Sequence, residues 1–343
     1  MNSAELKIAV LGGGSWGTAI AALLASKGLD VIIWAREAEV AAEIESAHLN
    51  SFFLPQIPLP AALRATDSLS EAVKGRQVIV SVIPSHATRA VFSQLNQLDI
   101  PAESIFVSCS KGIEIESGQL MSDVLRDTLP GHPSDHFIFL SGPTFAKEVA
   151  AGLPTTAVVA GTNLEITKRI QSLFRTDRFL TYTHDDVIGV EVGGAVKNVI
   201  AVACGMSDGL GFGHNTRAAL ITRGLYEMIK IGKKLGANPL TFSGLTGVGD
   251  LVLTCTGELS RNRTVGFRVG QGESITTILQ EMRMVAEGVK TAKAIHELAK
   301  RLGISAPISS EMYYILHEGK TPREAVNDLT RMELKEELRS ILS

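Results

Sequence analysis

One lysine stands in a run of small and aliphatic residues, Val190-Glu191-Val192-Gly193-Gly194-Ala195-Val196-Lys197-Asn198-Val199-Ile200-Ala201, where an ammonium is expensive to bury. Desolvation favours the neutral amine, so a buried Lys197 can work near neutral pH as a general acid or base. The alternative is a lysine that snorkels its head to water. Gly193, Gly194 and Ala195 interrupt the aliphatic run, and the compensation expected for the helix propensity the glycines lose is close approach to another backbone or a ligand. Further on, Gly244-Leu245-Thr246-Gly247-Val248-Gly249-Asp250-Leu251 presents Asp250 on a glycine-dense turn, followed by Thr254. The run Glu258-Leu259-Ser260-Arg261-Asn262-Arg263 then leads into a helical pattern expected to open at Thr264. Arginine offers a planar fork to phosphate oxygens and a helix N-terminus adds free amides, so this run suits a phosphate. Taken alone, it reads as a helix cap with solvated arginines.

The N-terminus carries a different chemistry. Lys7 to Leu11 is a short aliphatic run that breaks into glycines with the spacing Gly12, Gly14, Gly17, the G-x-G-x-x-G pattern of a dinucleotide site. Gly12 would permit the tight turn, Gly14 close approach of a pyrophosphate, and Gly17 close packing of the helix on its strand. The free N–H groups and positive end of that helix then face the phosphates. Strand two ends in Trp34-Ala35-Arg36, about where an acidic residue would take the ribose hydroxyls of NAD. Arg36 can instead stack on adenine or pair with a 2′-phosphate, which makes NADP use plausible without excluding NAD. The bland alternative is a solvated arginine.

Ligands of such sheets bind beyond the carboxyl ends of strands. Ile83-Pro84-Ser85, Ser110-Lys111-Gly112 and Ser141-Gly142-Pro143-Thr144 each follow an expected strand. Lys111 is the sharpest of these, a cation able to neutralise an anionic substrate or cofactor, with a solvated lysine as the alternative.

These residues need a scaffold, and the first half alternates short aliphatic runs with helical patterns. Strands are expected at Lys7–Leu11, Val31–Trp34, Val78–Val82, Ile105–Cys109, Phe137–Leu140, Thr156–Ala160 and Phe179–Thr183, with helices over Ser15–Lys27, Glu37–Ala47, Ala87–Gln97 and Leu164–Phe174. That is the signature of a doubly wound parallel sheet, an α/β domain. From about Asp185, segments of helical periodicity follow one another and no convincing strand appears. The reading is a dinucleotide-binding domain over 1–188 and an all-α domain over 189–343. Thr321, Pro322 and Glu324 form a capping-box signal near the end. Leu49 to Pro60, with three prolines and the pair Phe52 and Phe53, reads as a long irregular loop, a lid or a rigid surface segment.

At 343 residues the chain is long enough for two cores. A balance of 33 basic and 36 acidic residues signals no basic surface for nucleic acid. Glu191 and Lys197 interrupt the longest apolar stretch before it could span a bilayer. A soluble protein without a secretory signal is expected. Cys109, Cys204 and Cys255 are odd in number and far apart, which argues against a disulfide framework or closed zinc site and favours a reducing cytoplasm. They are expected to be small buried residues. No cluster has metal-ligand spacing.

Together the segments GGGSWGTA, SKGIE, SGPTFAKEVA, GGAVKN with its continuation to SDGLG, LTGVGDLVLTCTG, SRNR and VAEGV resemble, in order and nearly end to end, bacterial NAD(P)-dependent sn-glycerol-3-phosphate dehydrogenases. The resemblance implies an N-terminal Rossmann domain, a helical C-terminal domain and an active site between them. It implies reversible reduction of dihydroxyacetone phosphate to sn-glycerol 3-phosphate, the backbone precursor of phospholipids, and a homodimer. Carried over by position, Lys197 is the catalytic lysine, Asp250 its partner, and Lys111 a second lysine touching substrate and cofactor. Gly142, Thr144, Ser260, Arg261 and Asn262 match substrate contacts, with Asn198 and Thr254 as further candidates. Ser15, Trp16, Arg36, Ala146, Val285 and Glu287 match cofactor positions, and Arg261 is shared. The neighbour of Arg36, often basic or aromatic in the family, is Glu37 here, which leaves the choice between NAD and NADP open.

Two rivals remain at this point. β-Hydroxyacid dehydrogenases also surround a lysine with glycines, but place an asparagine one helical turn later, where this chain has Ala201. A nucleotide-binding sensor without turnover would have no reason to keep Lys197, Asp250 and Arg261 together.

Overall fold

The computed structural model describes residues 6–282 and 285–331. The described residues divide into two compact units, one made of those up to 110 and 121–187, the other of 111–120 and those from 188 on.

The first unit is built on one sheet. Its strands are β1 (Lys7–Leu11), β2 (Asp30–Trp34), β3 (Arg64–Thr66), β4 (Val78–Ser81), β5 (Ile105–Ser108), β6 (Phe137–Ser141), β7 (Thr155–Ala160) and β8 (Phe179–His184). Their spatial order is β3-β2-β1-β4-β5-β6-β7-β8, so the direction of winding reverses beside β1. That switch point is where a doubly wound sheet leaves a crevice beyond its strand ends. The helices are α1 (Ser15–Ala25), α2 (Ala38–Ala47), α3 (Leu69–Val73), α4 (Ser85–Leu95), α5 (Met121–Thr128), α6 (Ala146–Ala150) and α7 (Leu164–Phe174). The central strands β1, β4, β5 and β6 are nearly all apolar because both their faces are covered: Ile8, Val10, Val80 and Val107 lie in a core with Ile20 and Leu24 of α1.

The expectation of an all-parallel sheet needs one correction, since β7 runs antiparallel to β6. The connection between them carries only the five-residue α6, too short to return the chain along the sheet for a parallel crossover. β8 is again parallel to β7, after the eleven-residue α7. Strand β3, three residues reading Arg-Ala-Thr, has no apolar run to announce it.

The second unit contains α8 (Val187–Gly209), α9 (His214–Leu235), α10 (Asp250–Thr256), α11 (Arg261–Gly270), α12 (Ile275–Glu281), α13 (Glu287–Leu302), α14 (Pro307–Glu318) and α15 (Pro322–Arg331). Helix α8 is the one described helix long and apolar enough to cross a membrane, and 89% of its most apolar window is buried inside the protein. It is the central rod of this unit's core, packed by Met228 and Ile231 of α9, Leu251 of α10 and Val265 of α11. α8 and α11 meet backbone to backbone. A Cβ on Gly205 would lie 2.0 Å from the Arg263 carbonyl oxygen, and one on Gly209 2.2 Å from that of Phe267. Reciprocally, a Cβ on Gly266 would lie 2.0 Å from the Val202 oxygen, and one on Gly270 2.4 Å from that of Met206. Residues 111–120 join this unit as a small hairpin, bridged Ile113 to Leu120, with both side chains in the helical core. Arg301 of α13 fastens it by donating to the Ser117 carbonyl at 2.8 Å.

Helix ends are set by local chemistry. The Thr321–Glu324 capping box forms reciprocally: Thr321 N–H donates to Glu324 Oε2 at 2.8 Å and Glu324 N–H to Thr321 Oγ1 at 3.3 Å. The start of α14 is instead capped from another helix. Buried Glu227 of α9 accepts from Ile308 N–H at 2.6 Å, Ser309 N–H at 3.0 Å and Ser309 Oγ at 2.8 Å. Glu227→Ala leaves those three donors buried and unsatisfied, so urea unfolding should show a loss of about 3 kcal/mol or more, each orphaned buried group costing about 1–3. A loss below about 0.5 kcal/mol would show that the cap is replaced.

Candidate active site

The glycine turn between β1 and α1 has one open side. Gly12 sits at φ +123°, where an L side chain is strained, and a Cβ there would lie 2.9 Å from the Val82 oxygen. A Cβ on Gly17 would lie 1.9 Å from the Gly12 oxygen, whereas one on Gly14 would meet nothing within 4 Å. Gly13, which the spacing argument passes over, is packed against Ala35. The turn is therefore closed on the protein side and open over Gly14, at the N-terminus of α1, whose first N–H groups have no acceptor within the helix. Trp16 Nε1–H is buried with no acceptor among the described residues. An anionic group resting over Gly14 fits this arrangement, and the pyrophosphate of NAD or NADP is such a group.

Ser15 Oγ donates to the Phe53 carbonyl at 2.6 Å, tying the loop over 49–60 to the glycine turn. Arg36, with 81% of its side chain exposed, extends past β2 and pairs with Glu37 at 2.6 Å. Gly142, at φ +139°, and Thr144, whose Oγ1 donates to the Gly142 carbonyl at 3.2 Å, form the turn after β6; Ala146 opens α6.

The second unit gathers the ionisable groups. Asp250 opens α10, 1% exposed, directly after the π-helical turn Leu245–Gly249, where Gly247 takes a non-helical conformation. Lys197 reaches it from the middle of α8: Nζ donates to Asp250 Oδ1 at 2.5 Å and to Thr254 Oγ1 at 2.9 Å. Lys111, delivered by the hairpin, donates to Asp250 Oδ2 at 2.8 Å. Lys197 is 6% exposed, so its head does not snorkel. The close approach expected of its glycines is found at Gly193, where a Cβ would lie 2.4 Å from the Thr246 oxygen.

One carboxylate thus serves two ammonium groups. Burial lowers the Lys197 pKa to about 7, the attraction of Asp250 opposing it and the charge of Lys111 reinforcing it. For Asp250, burial alone would raise the carboxyl, but the two lysines outweigh it and hold the group below the usual carboxylate range. An amine poised at neutral pH beside a permanently charged carboxylate can give or take a proton without leaving its hydrogen-bonded place.

Helix α11 begins at Arg261, three residues before the expected Thr264, because Ser260 Oγ accepts from Arg263 N–H at 3.3 Å and caps it. Within that first turn the polar residues divide their work. Arg263 is clamped by Asp208 of α8, at 3.0 Å through Nε and 2.8 Å through Nη2, and Asp208 also holds Arg217 at 2.7 Å. Asn262 donates to Asn198 Oδ1 at 2.9 Å and accepts from Gly288 N–H at 2.9 Å, so both ends of its amide are used inside the unit. Arg261 is solvent-accessible, yet the protein packed around its guanidinium lowers its pKa, an effect that the charge of Glu287, first residue of α13, opposes. Val285 is exposed just before that helix. Asp208 is the residue that reading the sequence misses as a contributor here, since 55 positions separate it from Arg263 and no local pattern links them.

A unit with a glycine-turn nucleotide crevice, joined to a helical unit that buries a lysine–aspartate pair beside an arginine-bearing helix N-terminus, defines a nicotinamide-nucleotide-dependent dehydrogenase. The chain belongs to the NAD-dependent glycerol-3-phosphate dehydrogenase family: the family's N-terminal model matches residues 7–167 and its C-terminal model residues 186–327. It is 53% identical over 331 residues to glycerol-3-phosphate dehydrogenase [NAD(P)+] of Geobacter sulfurreducens, covering 96% of this chain and 98% of that one. The crystal structure of glycerol-3-phosphate dehydrogenase from Coxiella burnetii is similar with a TM-score of 0.92 at 38% identity, over 96% of this chain and all of the other. The yeast enzyme gives 0.79 at 29% identity over 96% of this chain and 100% of its own.

Proposed function

We propose that this chain catalyses the reversible reduction of dihydroxyacetone phosphate to sn-glycerol 3-phosphate with NADH or NADPH. The observation that carries the reading is the buried Lys197–Asp250 pair with Lys111 on the second carboxylate oxygen. When bound, the reduced nicotinamide supplies the hydride for the ketone carbon. Protonated Lys197 polarises the ketone oxygen and delivers a proton to it; in the reverse direction neutral Lys197 takes the hydroxyl proton. Asp250 orients the ammonium, and Lys111 adds a positive charge where an anionic substrate enters. Arg261 and the amides opening α11 hold the phosphate, Ser260 capping that turn and Asn262 bracing it against Asn198. Gly142 and Thr144 are proposed as further substrate contacts. For the cofactor, Gly12, Gly14, Ser15, Trp16, Gly17, Arg36 and Ala146 are the proposed contacts, with Lys111, Arg261, Val285 and Glu287 as contributors from the second unit.

Absorbance of the reduced nicotinamide, followed with dihydroxyacetone phosphate and each cofactor in turn, tests the reading. Oxidation of NADH or NADPH that depends on this substrate supports it. Turnover only with a 2-keto or 3-keto acid would replace it with a hydroxyacid dehydrogenase, and no turnover at all with a non-catalytic sensor.

Arg36 is proposed to read the ribose 2′-position, in competition with its partner Glu37. Arg36→Ala should lower the ratio of kcat/KM for NADPH over NADH by about tenfold, the worth of one charge-assisted pair to phosphate. An unchanged ratio would show that Arg36 reads nothing. A cytoplasmic homodimer feeding phospholipid synthesis completes the proposal. The family resemblance supports the dimer, which sedimentation equilibrium measures, and three free, buried cysteines are in keeping with a reducing compartment.

A further inference from the structure

The loop over 49–60 looks at first like a connection between α2 and β3, yet its most buried polar residue faces the glycine turn. Asn50 is 0% exposed. Its Nδ2 donates to the Gly13 carbonyl at 2.9 Å and to Thr18 Oγ1 at 2.8 Å, while Oδ1 accepts from Phe53 N–H at 3.0 Å. Thr18 Oγ1 in turn donates to the same Gly13 carbonyl at 3.2 Å. Two donors therefore converge on one carbonyl oxygen in the turn that carries the dinucleotide pattern.

The peptide joining Gly13 to Gly14 is trans, as are all the described peptide bonds. In a trans peptide the C=O and N–H point in opposite directions. With the Gly13 oxygen held by Asn50 and Thr18, the Gly14 N–H points away from those two donors, and a Cβ on Gly14 itself would meet nothing within 4 Å. Glycine on both sides of this peptide leaves its orientation poorly determined by its own sterics, so an outside constraint has an effect here that it would lack in an ordinary turn.

We infer that Asn50 is a positioning residue for the cofactor: by fixing the Gly13 carbonyl inward it preorganises the Gly14 N–H as a donor to the pyrophosphate. The inference rests on reading this turn as the dinucleotide site. Asn50 touches neither the cofactor nor the substrate in this account; it acts through one peptide plane.

The test measures equilibrium binding of NADPH and of ADP by calorimetry, with thermal unfolding alongside, for the wild type, Asn50→Ala and Thr18→Val. ADP shares the paired phosphates and lacks the nicotinamide. Asn50→Ala should weaken both ligands by a similar factor of about ten to a hundred, the range for a hydrogen bond to a charged group. Thr18→Val, which removes the second donor with little change of shape, should weaken both in the same direction by a smaller factor. In steady state the loss should fall on KM for the cofactor far more than on kcat at saturating cofactor or on KM for dihydroxyacetone phosphate. A lowered melting temperature with unchanged affinity for NADPH and ADP would overturn the inference, because Asn50 would then only anchor the loop. So would a loss confined to kcat. If Asn50→Ala does not fold, unchanged affinity in Thr18→Val overturns it. Failure of the wild type to bind either ligand would instead remove the dinucleotide reading itself.

Discussion

Lys197→Ala is expected to lower kcat for reduction of dihydroxyacetone phosphate by at least about 10²- to 10⁴-fold, the usual contribution of a positioned general acid, while cofactor affinity is retained. The loss should lie toward the upper end, because the same ammonium also carries the charge that develops on the ketone oxygen. The pH dependence separates this role from a structural one. With its pKa lowered to about 7, Lys197 is protonated below that value and neutral above it. Ketone reduction needs the protonated form, so kcat/KM in that direction should fall about tenfold per unit above roughly pH 7, since this parameter reports the free enzyme. Alcohol oxidation needs the neutral amine and should fall below roughly the same value. Asp250→Asn withdraws the attraction that opposes desolvation, so the reduction limb should move to lower pH. Retained turnover in Lys197→Ala, or a limb that Asp250→Asn leaves in place, would remove the lysine from the chemistry.

The second large effect is expected at Arg261. Replacing it by alanine should reduce kcat/KM for dihydroxyacetone phosphate by about 10²- to 10³-fold, the loss of a charge-assisted fork on a phosphate. Unphosphorylated dihydroxyacetone should lose less than about threefold, because its carbonyl meets the same lysine and it has no anion to be held. The comparison isolates binding energy that is realised far from the reacting carbon yet positions it. Arg263, two residues on, gives the contrast: its guanidinium is already committed to Asp208. Equal losses for the two substrates would show that Arg261 does not hold the phosphate.

Much of this was readable from residue order. The central strands announce themselves as aliphatic runs because both their faces are covered, and Thr321, Pro322 and Glu324 specify a helix start within four positions. Lys197 stands out because an ammonium among glycine, alanine and valine needs a reason to be there. What order alone does not supply is anything that depends on long-range pairing. The antiparallel β7 differs from a parallel strand only in the length of the connection before it. The hairpin over 111–120 has no strong pattern of its own, and joins the helical unit because Ile113 and Leu120 enter its core. Asp208 and Asn50 are ordinary polar residues until folding brings Arg263 and Gly13 to them. The start of α11 differs from the expected Thr264 for a local reason: the cap is Ser260 itself, so the polar residues Arg261 to Arg263 already form the first turn of the helix rather than leading up to it.

The glycine seam of α8 and α11 has a consequence for which ketones this enzyme can use. On the proposed reading the proton donor Lys197 is carried by α8 and the anion-holding turn by α11, and these two helices touch main chain to main chain. Side chains can change rotamer to admit a longer guest, but abutting peptides cannot. A phosphorylated ketone with one more methylene between its carbonyl and its anionic end is therefore expected to be a poorer substrate than dihydroxyacetone phosphate, since the spacing of the two helices resists adjustment even where the side chains they carry do not.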